Sequence, residues 1–484
     1  MVYGIVQAVA LAIAAFATRD AFAALHIKEP LALRTVVELG LAGVIAAICL
    51  FLSRRQAEAL GQSYAIALRR TLYKQIASLP KSRHEQRRTG ALSLRFVGDL
   101  SAARLWFGRG LPDVLTALVV LPGGVAILVL LDPNLVWAAL APLGLSLMLM
   151  AAAAWHLEHR HQGLRQRRAN IAVAMIERIA IAPELDLMGR TNKELRAIDE
   201  QGAALKTDAV ARRCRTAGLQ SILQAGVTLA GLMILWLASQ KATEPATAAA
   251  SLSVLALVSM PLQDLGAAWD RYCAWSVARG KAERLLNEPT LSRRAKPRHK
   301  AVPVTVSGAV NLTIDAGEVM RLKGPSSGKI ARVIAGLDYD PDIHVAFGDH
   351  SSSPRIAFIG DAHVGLQGSL RRSITLGTRK RPNDARIAEV LNAFGLNCLV
   401  DAPQGLDQRV AENGKGLGLG QTVRLDLVRA VLGQADLIVI SSLRWEAEPD
   451  QTSLLATLRR LCSATILLAD GSNHSNSLMM AKVS

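Results

Sequence analysis

The chain has 484 residues, of which 51% are hydrophobic and only 4% aromatic, and its mean hydropathy is +0.26. Soluble domains are usually less apolar, so this composition argues for membrane spans. The net charge of +17 is compatible with nucleic-acid binding or with the cytoplasmic loops of a membrane protein. The five cysteines are an odd number without a CxxC pair, which argues against a disulfide framework and against a zinc site.

Six apolar stretches each come close to the about 20 residues that a helix needs to cross the hydrocarbon core. They cover residues 1–18 (extending towards Leu25), 39–52, 114–131, 135–155, 219–239 and 246–265. Asp132-Pro133-Asn134 predicts a tight turn between the third and fourth spans. The first stretch also admits a signal-peptide interpretation, because Ala21-Phe22-Ala23 resembles a cleavage site, although no basic segment precedes it.

The charged residues predict the orientation of these spans. Residues 53–110 contain twelve Lys or Arg and three acids, and residues 156–216 contain twelve Lys or Arg and eight acids. Because cation-rich loops stay on the cytoplasmic side, we expect both loops, both termini and the C-terminal half to be cytoplasmic, in the inner membrane if the source is bacterial. The excess charge is then explained by topology, and we expect the lipid bilayer as a partner and no nucleic acid.

Both long loops are predicted to be helical over much of their length. Residues 60–79 and 171–187 have helical periodicity, so the spans should continue as helices into the cytoplasm. His156, His159 and His161 lie at the end of the fourth span and admit either a metal site or, more simply, a polar helix end at the interface.

The second half of the chain changes in character after a linker. Residues 288–303 contain three prolines and many cations, which is typical of a linker. Short β-branched runs then alternate with helical stretches, which predicts an α/β domain. The predicted organisation is therefore a membrane domain over residues 1–287, a linker over 288–303 and an α/β domain over 304–484.

A glycine-rich loop follows the first well-defined strand of this α/β domain. Gly324-Pro325-Ser326-Ser327-Gly328-Lys329 stands between the predicted strand 318–322 and the predicted helix 330–335, the setting of a P-loop. Such a loop needs backbone N–H groups around the phosphates, a lysine on them and a hydroxyl for magnesium. The loop is one residue short, and Ile330 stands where the hydroxyl is needed.

The membrane half resembles ABC exporters, and its pieces occur in the family's order. Ser78-Leu79-Pro80, residues 89–95 and Asp99 are similar to the end of the family's second helix and the start of its third. Pro261-Leu262 and residues 278–286 resemble the sixth helix and its exit. The resemblance implies coupling helices at the bends Arg83–Arg88 and Gly189–Arg196; the alternative is that both are solvated basic turns.

The C-terminal half resembles an ABC nucleotide-binding domain whose motifs are altered. Asp361 replaces the Q-loop glutamine, and Leu417-Gly418-Leu419-Gly420-Gln421 resembles the signature motif, with Gly418 for its serine and Leu419 for a glycine. Ser441 and Ser442 follow an apolar strand where the family has an aspartate and the catalytic glutamate, and Gly471 replaces the switch histidine.

The resemblance implies six transmembrane helices with long cytoplasmic extensions, followed by a degenerate α/β P-loop-type nucleotide-binding domain. Phosphoryl transfer depends on magnesium and positioned charges. With the magnesium ligands lost at Ile330 and Ser441, the water-positioning carboxylate at Ser442 and the γ-phosphate sensors at Asp361 and Gly471, we expect no catalytic residue and no hydrolysis at this chain's own site. Lys329 leaves ATP binding open; we expect no magnesium or other metal there.

The resemblance also implies a role in which the chain depends on a partner. Because each ATP in ABC proteins lies between the Walker motifs of one half and the signature motif of the other, we expect a heterodimer with an ATPase-competent half-transporter. The alternatives are a membrane scaffold or regulator without transport and, less in keeping with the lost carboxylates, an independent ATPase homodimer. The signature-like residues also admit a purely structural interpretation, as turn glycines and core leucines.

Overall fold

The computed structural model of the chain describes residues 2–85, 98–157, 161–241, 243–291, 301–324, 326–348, 354–470 and 479–482. The chain divides into two compact units. The membrane unit comprises residues up to 77 and from 98 to 288, and the C-terminal unit comprises residues 78–85 together with those from 289 onward.

Among the described residues, six helices of the membrane unit are long and apolar enough to span a membrane, which confirms the six predicted spans. They are α1 (Val2–His26), α2 (Leu33–Ala77), α5 (Leu111–Leu131, continuous with α4, Leu100–Leu105, through a π-helical turn Trp106–Gly110), α6 (Pro133–Leu157), α9 (Thr191–Gln240) and α10 (Pro245–Leu286). With 45, 50 and 42 residues, α2, α9 and α10 exceed the span of a bilayer.

The shorter helices differ from the predicted ones. The predicted helix 171–187 is two helices, α7 (His161–Ala180) and α8 (Ala182–Leu187), because Pro183 fits the first turn of a helix and not its interior. The predicted bend Gly189–Arg196 is wrong in extent, because Thr191 already begins α9 and the short helix lies before the bend. The first predicted bend begins in α3 (Lys81–Glu85), and residues 86–97 lie outside the described residues.

Close backbone contact fixes α2 against the π-helical turn. A Cβ on Gly61 would lie 2.7 Å from the carbonyl oxygen of Arg104 and 2.9 Å from the Cα of Gly108. Such approach requires glycine at the contact, because any larger residue would bring its Cβ against backbone atoms. Nearby, the buried Asp113 accepts a hydrogen bond from Arg271 at 2.6 Å. An acid inside a helical membrane unit is therefore paired, as such groups usually are.

Replacing Gly61 with Ala is expected to destabilise the membrane unit. The added methyl group meets backbone atoms, which move less easily than a side chain, so the cost should be about 1–3 kcal/mol. The measurement is the thermal unfolding midpoint of the purified full chain in detergent. Gly43→Ala on the same helix is the control, since a Cβ there meets nothing within 4 Å. Equal midpoints for the two variants would contradict the close contact.

The C-terminal unit contains two larger sheets, which confirms the predicted α/β region. Their strands are β1 (Val304–Gly308), β2 (Leu312–Ile314), β3 (Val319–Lys323), β4 (Ile343–Phe347), β5 (Ile356–Ile359), β8 (Leu437–Ile440), β9 (Thr465–Ala469) and β10 (Met479–Lys482), and a small pair is formed by β6 (Gly368–Ser369) and β7 (Arg409–Val410). The antiparallel sheet has the order β2-β1-β4. The other has the order β10-β3-β9-β8-β5, in which β10 is antiparallel to β3 and all other neighbours are parallel. Both β8 and β9 are wholly buried, as expected of parallel strands covered on both faces.

Helices pack against the parallel sheet and connect its strands. They are α11 (Ser327–Ile334), α12 (Leu370–Ile374), α13 (Asp384–Ala393), α14 (Asn397–Val400), α15 (Leu419–Leu432), α16 (Leu443–Glu446) and α17 (Gln451–Leu461). The helix after the glycine-rich loop begins at Ser327, three residues before the predicted start. Because β3, β5 and β8 are parallel, their carboxyl ends meet at one edge of the sheet. We call this edge, with the glycine-rich loop, Asp361 and Ser441, the loop edge.

Candidate functional site

The described residues of the glycine-rich loop at the loop edge bond to one another and to the residue that follows β9. The backbone N–H of Ser327 donates to the carbonyl oxygen of Gly324 at 3.0 Å. The buried hydroxyl of Ser327 lies 2.7 Å from that same oxygen and 2.7 Å from the carbonyl oxygen of Asp470. A phosphate cradle needs its N–H groups directed to the ligand, and here the Ser327 N–H is committed to the loop itself.

Lys329 faces an acidic turn of the C-terminal unit. Its Nζ lies 2.6 Å from Oδ2 of Asp340, and the other oxygen of that carboxylate accepts the backbone N–H of Asp342 at 3.0 Å. The hydrogen bond between them raises the pKa of Lys329 and lowers the pKa of Asp340. The one cation of the loop motif is thus paired with a carboxylate of the chain itself.

Ile330 lies in the hydrophobic core of the unit and is 1% exposed. It belongs to the same buried cluster as Leu322 of β3 and Val439 of β8. Successive residues of a helix point about 100° apart, so a helix that turns Ile330 into the core turns Lys329 away from it. The position that would hold magnesium in an intact P-loop is therefore a core position here.

The residues at the ends of β5 and β8 hold the start of α16. Ser442 is buried and is the N-cap of α16, where its hydroxyl accepts the N–H of Arg444 at 3.2 Å. Asp361 Oδ1 accepts the N–H of Leu443 at 2.7 Å. Ser441 donates its N–H to Ile359 at 2.9 Å, and its Oγ faces Gly328. All three therefore make contacts that stabilise local structure.

The signature-like segment forms the N-terminus of α15. Gly418 is the N-cap, and its N–H donates to Oε1 of Gln421 at 3.0 Å. Leu419 is 69% exposed, whereas Leu417 packs against the core. Gly420 has a steric role, because a Cβ there would lie 2.7 Å from Oε2 of Glu448. The segment thus presents a helix N-terminus and an exposed leucine to its surroundings.

A buried ionic cluster, which the sequence analysis did not detect, fixes α15 behind this segment. Asp426 lies 3.1 Å from Arg429 and 3.1 Å from Arg444, and its Oδ1 lies 2.8 Å from Nδ1 of His363. The guanidinium of Arg429 also lies 3.3 Å from Nε2 of His363. Burial lowers the pKa of Arg429, which the charge of Asp426 opposes. The cluster joins the segment after β5 to α15 and α16.

The fold brings some of the sequence-predicted site residues together and leaves others apart. The residues at the carboxyl ends of β3, β5 and β8 meet at the loop edge, as the strand order requires. Gly471 lies outside the described residues. The sequence analysis did not identify the partner of Lys329, although Asp338, Asp340 and Asp342 occupy every second position shortly after α11. Asp426 was missed because one acid on a helical face gives no signal by itself.

Replacing Asp426 with Asn is expected to loosen α15. Two arginines would lose the carboxylate that pairs them in a buried place, and breaking such a pair costs about 3–5 kcal/mol. The measurement is amide hydrogen exchange over residues 419–432 in the full chain. Asp384→Asn, which removes an exposed partner of Arg371, is the control and should change little. Unchanged exchange in the Asp426 variant would show that the cluster does not hold the helix.

The comparisons with known proteins agree with this architecture. Residues 26–262 match the family model described as ABC transporter transmembrane region. The chain is similar to the solved structure of a bacterial Atm1-family ABC exporter with ATP bound, with a TM-score of 0.81, 16% sequence identity, and coverage of 97% of this chain and 89% of that one. An ATP-dependent lipid A-core flippase of Thiobacillus denitrificans is 22% identical over 86% of this chain and 78% of the flippase.

Stronger identity is confined to shorter stretches. An uncharacterized ABC transporter ATP-binding protein of Sinorhizobium fredii, y4gM, is 32% identical over 176 residues, which are 30% of its length. ABC transporter 1 of Ajellomyces capsulatus is 31% identical over 161 residues, 12% of its length. The chain thus covers less than a third of these curated relatives.

The class of the protein follows from the fold and the matches together. The chain has the fold of an ABC exporter half-transporter, and residues 26–262 match the model of an ABC transporter transmembrane region. The resemblance found in the sequence is confirmed at this level. With six apolar helices long enough to span, the chain is a multi-pass membrane protein.

Proposed function

We propose that this chain is the non-hydrolysing half of a heterodimeric ABC transporter. Its membrane unit would form half of a translocation path, and an ATPase-competent half-transporter would supply the energy. The fold supports a half-transporter that pairs with a second half. In such a pair, each nucleotide lies between the Walker loops of one chain and the signature segment of the other.

The observation that carries the proposal is the position of Lys329 and Ile330. Ile330 is inside the core, so the loop offers no hydroxyl to magnesium, and the lysine is paired with Asp340. Ser442, at the position of the catalytic carboxylate, is a buried helix cap. Removing one electrostatic stabiliser costs about 10²–10³ in rate, and here several are absent together.

The signature side supports the other half of the proposal. A helix N-terminus attracts phosphate through its N–H groups and its dipole, and α15 is held by the cluster around Asp426. The segment Leu417–Gln421 would therefore complete the ATP site whose Walker loops belong to the partner. ATP at this chain's own loop, if bound there, would not be hydrolysed.

The first test compares the ATPase rate of the full chain alone with that of its complex with an intact half-transporter. We expect no magnesium-dependent turnover from the chain alone and turnover from the complex. Lys329→Ala should leave the rate of the complex unchanged, because this lysine forms an ion pair with Asp340 of the same chain. The matched control, alanine at the P-loop lysine of the partner, should reduce the rate by about 10²–10³ or more. Turnover by the chain alone would refute the proposal.

The second test places a negative charge on the signature segment. Leu419→Glu puts a carboxylate at an exposed helix N-terminus, where the helix itself tolerates it. Against ATP phosphates it should lower the ATPase rate of the complex at least about tenfold, since like charges about 4 Å apart near a surface repel by about 4 kcal/mol. Leu376→Glu, another exposed leucine of the same unit, is the control.

These rates also separate the proposal from the alternative of a membrane scaffold or regulator. If the partner's ATPase rate and transport are the same with Leu419→Glu as with the unaltered chain, the signature segment takes no part in the ATP cycle. A scaffold or regulatory subunit without transport activity would then be the better account.

A further inference from the structure

A large cationic pocket lies at the opposite edge of the parallel sheet from the loop edge. Arg355 precedes β5, Ala435 precedes β8 and Ser463 precedes β9, so the pocket sits at the amino ends of these strands. Its volume is about 750 Å³, within the range of small-molecule sites. Because the two edges are at opposite ends of the strands, this pocket is separate from the nucleotide site.

Five cations line this pocket, and no acid or aromatic residue is among its described lining residues. They are Arg355, Arg379, Lys380, Arg381 and Arg386. Arg386 is paired with Glu389 at 2.8 Å. Within the described ranges, no ion pair or hydrogen bond engages the side chains of the three consecutive cations, which are exposed. The pocket therefore holds three consecutive cations that no carboxylate of the described residues pairs, beside Arg355, whose backbone N–H donates to the carboxylate of Asp436 at 2.8 Å.

One of these cations is built into the fold and fixes the pocket wall. The guanidinium of Arg355 donates one hydrogen bond to the carbonyl oxygen of Gly433, at the end of α15. It donates another to the carbonyl oxygen of Gly377, at a distance of 2.8 Å. This joins the segment that carries Arg379–Arg381 to the end of α15. The three exposed cations are thereby kept over one concave surface whose apolar floor includes Val431 and Leu461.

The pocket also contains a residue in a costly backbone conformation. Gln434 has φ +51°, and its N–H and that of Ala435 bond to Val431 and Ala430, the pattern in which glycine usually ends a helix. The left-handed conformation costs about 1–2 kcal/mol without glycine. The residue that ends α15 thus places a polar side chain in the pocket wall.

We propose that this pocket binds a soluble small molecule that carries at least two phosphate groups. A phosphate monoester has a charge of about −1.5 to −2 at neutral pH, so two phosphates match the charge of Arg379, Lys380 and Arg381. Lysine and arginine are the usual phosphate ligands. Without an aromatic side chain to stack a base, the described wall favours an inorganic or sugar polyphosphate over a nucleic acid. This inference is independent of the proposed transport role.

The test is calorimetric titration of the purified full chain with inorganic tripolyphosphate in the absence of magnesium. We expect saturable binding that Arg379→Gln/Lys380→Gln/Arg381→Gln weakens at least about tenfold. Lys329→Gln should leave the affinity unchanged, which separates this pocket from the glycine-rich loop. Lys193→Gln/Arg196→Gln/Lys206→Gln removes the same charge from exposed positions of the membrane unit and should also leave it unchanged.

A second measurement needs no variant and so does not depend on how the variants fold. Trypsin cleavage after Arg379 and Lys380 in the unaltered chain should slow when tripolyphosphate is present. Absence of saturable binding, equal affinity in the pocket variant, or unprotected cleavage would each overturn the proposal. So would binding of anionic phospholipid vesicles or of a polyglutamate peptide in place of tripolyphosphate, because the pocket would then serve a membrane or a protein.

Discussion

The register of α11 on the sheet determines which side chains of the glycine-rich loop are buried in the core and which face the loop edge. Burying an isoleucine contributes about 1.5–3 kcal/mol, whereas an exposed ion pair contributes about 0–1 kcal/mol. The burial of Ile330 among Leu322 and Val439 is therefore the contact that fixes this register, and the Lys329–Asp340 pair follows from it.

The remaining positions of the loop edge are consistent with that register. Asp361 and Ser442 both hold the first turn of α16, which in turn brings Arg444 to Asp426. Residues at the carboxyl ends of these strands thus hold the start of α16. The same ionic cluster steadies α15, whose N-terminus remains exposed. The unit therefore combines a glycine-rich loop whose Ser327 N–H is bonded to Gly324 with an exposed helix N-terminus at α15.

The sequence predicts the membrane unit better than the loop edge, for physical reasons. Hydropathy and length identify spans such as Val2–His26, because a bilayer imposes the same requirement on every helix. The start of α11 was placed three residues late, since Ser326 and Ser327 are equally suited to a loop. The Lys329–Asp340 pair and the pocket around Arg355 depend on which turns meet in space, and neither periodicity nor spacing contains that information.

The central claim is that hydrolysis takes place only at the partner's Walker loops. It is tested most directly by trapping a photoreactive ATP analogue with vanadate in the active heterodimer and then identifying the labelled chain. Vanadate retains nucleotide where the phosphate bond has been cleaved. The account predicts vanadate-dependent label on the partner and, on this chain, at most at the signature-like segment Leu417–Gln421, which would border the same nucleotide; vanadate-dependent label at this chain's own glycine-rich loop would contradict it.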